Sequence, residues 1–94
     1  MMTPQFEWNK EKAKSNLDKH DVTFSEGATI FNDQFVATMP DPDHSRNEER
    51  FLAIGTSVKG HLLVVVFTER GDKIRLISCR QATATERRTY EEGE

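Results

Sequence analysis

The spacing of apolar residues changes character after Phe31. Ahead of that point it is sparse and helical. In "KEKAKSNLDKH" only Ala13 and Leu17, with Trp8 before them, form a stripe, and Asn9 is a good N-cap. The pattern predicts a helix from residue 10 to about Lys19 or His20. So thin a stripe must lean on the rest of the molecule to be stable. "FEW" at residues 6–8 is short and aromatic and suits an edge strand. After the loop "HDVTF", Ser25 is placed as the cap of a second, short helix over about residues 26–31, burying Ala28, Ile30 and Phe31.

Beyond Phe31 the period shortens. "QFVATM", "RFLAIGTS", "HLLVVVFT" and "KIRLISCR" read as strands. The last three are joined by "VKG" and "ERGD", which are hairpin lengths, while "PDPDHSRNEE" between the first two is a polar loop punctuated by prolines. "LLVVVF" is apolar on both faces and belongs at the centre of the sheet. Thr83 and Glu86 then have capping-box spacing and open a helix to about Glu92. The expected fold class is α+β: two N-terminal helices, a four-stranded antiparallel meander sheet and a C-terminal helix.

Composition narrows the class. With 94 residues, positions 1–94 make one domain. The longest apolar run, Leu62 to Phe67, is far short of the ~20 residues of a membrane span, and no stretch resembles a signal peptide. One cysteine, Cys79, forms no internal disulfide and suits a reducing compartment, so a soluble cytoplasmic protein is expected. Its setting is that of a buried free thiol.

Charge adds what the period does not. The formal net charge is −3, yet residues 1–49 carry ten acids against five Lys/Arg, and residues 50–94 carry six against eight. Between Arg70 and Tyr90 there are six bases and two acids. Local field governs attraction to phosphate, so an acidic total does not exclude a nucleic-acid partner. On a flat strand Ile74, Leu76, Ser78 and Arg80 share one face and Lys73, Arg75, Ile77 and Cys79 the other. An arginine among apolar neighbours needs an anion, either an internal carboxylate (Glu49, Glu69 or Glu86) or a ligand phosphate. A structural ion pair or a place on a solvated helix face is the plainer account of any one of these arginines, but it accounts less well for Arg70, Lys73, Arg75, Arg80, Arg87 and Arg88 together, which outnumber the nearby acids.

Other chemistry is scattered. His20 ends the first helix, where the dipole favours an imidazolium. His44 lies in the polar loop and His61 starts the central strand, a spread unlike any zinc site. Tyr90 is placed either to donate a proton or simply to pack. Phosphate-binding glycine loops and nucleophile elbows are missing from the sequence. No metal or cofactor is expected.

Three blocks, "FEWNKEKAKSNLDKHDVTFSEGATIF", "HSRNEERFLAIG" and "LLVVVFTERGDKIRLISCRQATATERRTYEE", stand in the order found in one family. Across nearly its whole length the chain resembles the BrnT toxins of bacterial type II toxin–antitoxin modules. Two departures are small: Cys79 stands where an alanine is usual, and Asp33 is followed by Gln34 rather than a common proline. The resemblance implies a RelE-like fold and a ribonuclease that stops translation by cutting mRNA, whether free or ribosome-associated being left open. It also implies neutralisation by a cognate BrnA-like antitoxin, through which alone the toxin reaches promoter DNA.

RNA cleavage without metal uses the 2′-hydroxyl as nucleophile, a base near it, cations around the phosphorane and an acid for the 5′-oxygen. On that scheme Arg70, Arg75 and Arg80, joined by Arg50, stabilise phosphate. His20 or Glu86 is the candidate base, and Tyr90 or His20 the candidate acid. Lys73, Arg75, Arg87 and Arg88 bind RNA. Two other readings compete: a non-catalytic module that blocks RNA or the ribosome sterically, and an inactive partner of a DNA-binding antitoxin.

Overall fold

The computed structural model describes residues 5–41 and 48–93. The expectations for His44 and for most of the proline-rich loop lie outside the described residues. The elements run β1 (Gln5–Glu7), α1 (Lys10–His20), α2 (Phe24–Ala28) continuing as a 3-10 turn (Thr29–Asn32), β2 (Ala37–Pro40), β3 (Phe51–Thr56), β4 (Leu62–Arg70), β5 (Lys73–Gln81) and α3 (Ala84–Glu92).

The helix starts follow their caps. Asn9 Oδ1 accepts from the backbone N–H of Glu11 at 2.8 Å and of Lys12 at 3.1 Å. Helix α1 ends at Asp21 in the left-handed region, φ 58°, with its N–H donating to Leu17 O. α2 begins two residues earlier than its sequence suggests, because Thr23 rather than Ser25 takes the cap, its hydroxyl accepting from Glu26 N–H. Thr83 and Glu86 form the expected reciprocal capping box at α3.

Among the described residues the sheet has five strands, not four, in the order β1-β5-β4-β3-β2. Strands β2 to β5 are the antiparallel meander, and β1 adds in parallel to β5, with Gln5 opposite Lys73 and Glu7 opposite Arg75. The all-antiparallel expectation fails there because three residues carry too little pattern to reveal a partner almost 70 positions away in the chain. The long β4 lies in the middle, as its two apolar faces require.

A bulge corrects the division of β5 into faces. Leu76 opposes Phe67, but the next partner of Val66 is Ser78, so Ile77 is the extra residue. From there the side chains exchange sides. Ile74, Leu76 and Cys79 point to the face that α1 and α2 cover, while Lys73, Arg75, Ser78 and Arg80 point to the other.

The helix-covered face holds the larger core, with Phe24, Ile30, Leu63, Val65, Leu76 and Cys79 buried. Gly27 belongs to this packing: a Cβ there would stand 2.8 Å from Cys79 Sγ, so only glycine lets α2 lie so close to β5. Among the described residues the second face is covered towards β3, where Tyr90 of α3 packs on Ile54, Leu62 and Val64. Among the described residues no helix is long and apolar enough to cross a membrane.

Candidate functional site

The bulge gathers the basic residues of β4 and β5. Arg70 opposes Lys73, Thr68 opposes Arg75 and Val64 opposes Arg80, so all four cations project from the second sheet face. Arg50, half-buried, directly precedes β3. Arg87 and Arg88 are exposed on α3.

The cations do not stand alone. Arg80 meets Glu86 through two parallel contacts of 2.7 Å, Nη1 to Oε1 and Nη2 to Oε2. Arg75 Nη1 donates to Glu7 Oε2 at 3.1 Å, and Lys73 Nζ lies 3.8 Å from Glu7 Oε1. Arg70 Nη2 is 3.6 Å from Glu48. Of the three carboxylates anticipated as internal partners, Glu86 serves one of these four cations, whereas Glu7 and Glu48 were not foreseen. Four cations therefore share three carboxylates, an excess of one positive charge before Arg50 and α3 are counted. Partly exposed pairs of this kind stabilise by on the order of 1 kcal/mol each, so an incoming phosphate can exchange with them. The two-pronged Arg80–Glu86 pair is the strongest.

The same geometry weighs against two of the proposed proton carriers. Hydrogen bonds from Arg80 and from Thr83 N–H outweigh burial and hold Glu86 at a pKa of about 2, too low for an efficient base at neutral pH. Tyr90 donates its hydroxyl to Asp33 Oδ2 at 2.6 Å, and Thr56 N–H donates to the same oxygen at 2.8 Å. Burial raises the Asp33 pKa, but the bonds from Tyr90, Thr56 and Phe35 outweigh it and lower the net value. Tyr90 thus clamps α3 to the turn before β2. His20 is exposed at the end of α1 and lines a cavity with Ser78, next to the basic face. Of the acid–base candidates, Glu86 is held by Arg80 and Tyr90 by Asp33, whereas His20 makes no such pair among the described residues.

One cluster escapes any reading by spacing. Glu26, buried in α2, accepts from Ser57 Oγ at 2.6 Å and lies 2.7 Å from His61 Nδ1. Burial pushes the Glu26 carboxyl up, and the bonds from Ser57 and His61 more than reverse it, leaving the pKa lowered. Since Ser57 donates to the carboxylate and not to the imidazole, this is a brace between α2 and the β3–β4 turn rather than a nucleophile with its base. Cys79 is equally inert: burial, with Glu26 nearby, pushes its thiol up to about 12.

A family model described as "Ribonuclease toxin, BrnT, of type II toxin-antitoxin system" matches residues 8–86. The chain belongs to the BrnT family. The match spans α1 through the capping box of α3, and so includes the bulge and every cation of the sheet face. The crystal structure of the Brucella abortus ribonuclease toxin BrnT shares the fold, with a TM-score of 0.67 at 23% identity over 86% of this chain and 99% of that one. No curated protein sequence matches. Membership in a type II toxin–antitoxin family implies an antitoxin partner for this BrnT protein.

Proposed function

We propose that this BrnT protein is a cytoplasmic endoribonuclease that cuts RNA by attack of the 2′-hydroxyl, without metal, and so inhibits translation. The observation that carries the reading is the convergence of Arg70, Lys73, Arg75 and Arg80 on the one sheet face that α1 and α2 leave uncovered. RNA phosphates displace Glu7 and Glu86 from their arginines. The guanidinium groups then stabilise the charge that grows on the phosphorane oxygens, each well-placed donor contributing about 10²–10³ in rate. Arg50, Arg87 and Arg88 extend the grip on the backbone. His20, at the rim of this face, is the group left to move protons.

A BrnA-like antitoxin neutralises the protein by presenting carboxylates to the same face, and the complex rather than the toxin reads promoter DNA. The competing reading, a binder that does not cut, needs the same cations and differs in product. Purified protein incubated with total RNA in EDTA is expected to release fragments ending in a 2′,3′-cyclic or 3′-phosphate. Retention of intact RNA, or cleavage that EDTA abolishes, overturns the mechanism. Arg80→Glu is expected to lose growth arrest while keeping a folded chain that still binds antitoxin.

A further inference from the structure

Strand β1 ends opposite Arg75, and the next group to meet that edge of β5 is the Asn16 side chain, opposite Cys79. The bulge residue Ile77 and its neighbour Ser78 fall in the interval. A cavity of ≈ 170 Å3 opens there, walled on the α1 side by Lys12, Ser15, Lys19 and His20 and on the strand side by Ser78.

Three features of this cavity point to an anion. No carboxylate lines it. Lys12 and Lys19 make no ion pair among the described residues, whereas each of the four cations on the sheet face does. Ser78 belongs to both surfaces: it opposes Val66 on the basic face and also forms part of the cavity wall. The two positive surfaces are therefore one, bent over the edge of the sheet at Ser78.

We propose that the cavity is a second phosphate subsite for the RNA strand. The backbone leaves the Arg75–Arg80 face, crosses the edge of β5 at Ser78 and seats a neighbouring phosphate between Lys12 and Lys19. The Ser15 and Ser78 hydroxyls donate to its non-bridging oxygens, and His20 stands beside the crossing. Lysine suits this role because a point charge on a flexible stem follows a backbone of unfixed torsion. The proposal rests on the sheet face being the RNA-binding surface and adds a path for the strand beyond it.

The test is binding of a short fluorescein-labelled 2′-O-methyl oligoribonucleotide, which cannot be cut, measured by anisotropy over a range of salt. Lys12→Gln with Lys19→Gln is expected to weaken binding roughly tenfold and to reduce the slope of log K against log salt by about 0.7, the single-strand value for one phosphate contact. Lys10→Gln with Lys14→Gln removes the same charge from α1 outside the cavity and is expected to leave the slope within error of wild type. Equal losses from both pairs, or none from the first, overturn the subsite. Amide shifts of Ser78 and His20 on adding the oligonucleotide provide a second readout, and their absence counts against it in the same way. Cleavage of total RNA by wild type is scored separately: binding with the expected slopes but no cleavage sinks the nuclease reading and leaves the subsite standing. Cleavage that the first pair does not alter does the reverse.

Discussion

The side-chain amide of Asn16 pairs with the peptide of Cys79 as an adjoining strand would. Cys79 N–H donates to Asn16 Oδ1 at 3.0 Å, and Asn16 Nδ2 donates to Cys79 O at 2.8 Å. The same Nδ2 also reaches Val22 O at 3.1 Å, so one buried asparagine ties α1, the loop after it and the edge of β5 together. Asn16→Leu keeps the branched shape but strands a buried N–H and two carbonyls. It is expected to cost on the order of 3 kcal/mol in urea unfolding. A loss under about 1 kcal/mol would show that the edge holds without the amide.

The contact between Gly27 and Cys79 makes a coupled pair. Gly27→Ala drives a methyl to 2.8 Å from Cys79 Sγ, and Cys79→Ala removes that sulfur while leaving Val65 Cγ2 at 3.3 Å. In a double-mutant cycle the two changes are expected to be less destabilising together than their sum, by about 1 kcal/mol. Strict additivity would mean that α2 shifts away from β5 instead.

Glu86 supplies a pH signature. Its carboxyl is lowered from 4.5 to about 2 in the folded chain. A depressed carboxylate contributes its full stabilisation above the unfolded value, and the contribution fades as pH falls from about 5 towards 2. Allowing for solvent screening of a partly exposed pair, the contribution is about 1–2 kcal/mol. The urea midpoints of wild type and Glu86→Gln are expected to differ by a constant amount above pH 5 and to converge in acid. A gap that persists at low pH would trace the effect to the lost cap of α3 instead.

Tyr90→Phe separates a clamp from a catalyst. Losing the hydroxyl leaves Asp33 with one donor fewer and is expected to cost about 1–2 kcal/mol of stability. RNA cleavage by the folded fraction should stay within about threefold of wild type. A fall of about a hundredfold or more, the size of a lost general acid, would return Tyr90 to the chemistry.

Much of this architecture is legible in the chain because it is local. Asn9, Thr83 and the hairpin turns act over two to four residues, and the meander follows from them. What the sequence conceals is non-local. Glu7 reaches Arg75 across 68 positions. Thr23 and Glu26 have the T-x-x-E spacing, and Thr23 rather than Ser25 caps α2, its hydroxyl accepting from Glu26 N–H. The basic cluster is visible as composition, but its facing is not: strict alternation assigns Arg75 and Arg80 to opposite sides.

That last point turns on a single residue. Arg75 and Arg80 are an odd number of positions apart, and only the unpaired Ile77 lets an odd interval behave as an even one. Deleting Ile77 would leave an even interval in a regular ladder and keep Arg80 on its present side, whereas pairing Ile77 with Val66 in the intact chain would turn Arg80 to the face that α1 and α2 cover. A deletion in the turn around Gly60, by contrast, leaves every side chain on its own side. The parity of one strand, and not just its count of arginines, decides whether the protein has a cationic surface at all.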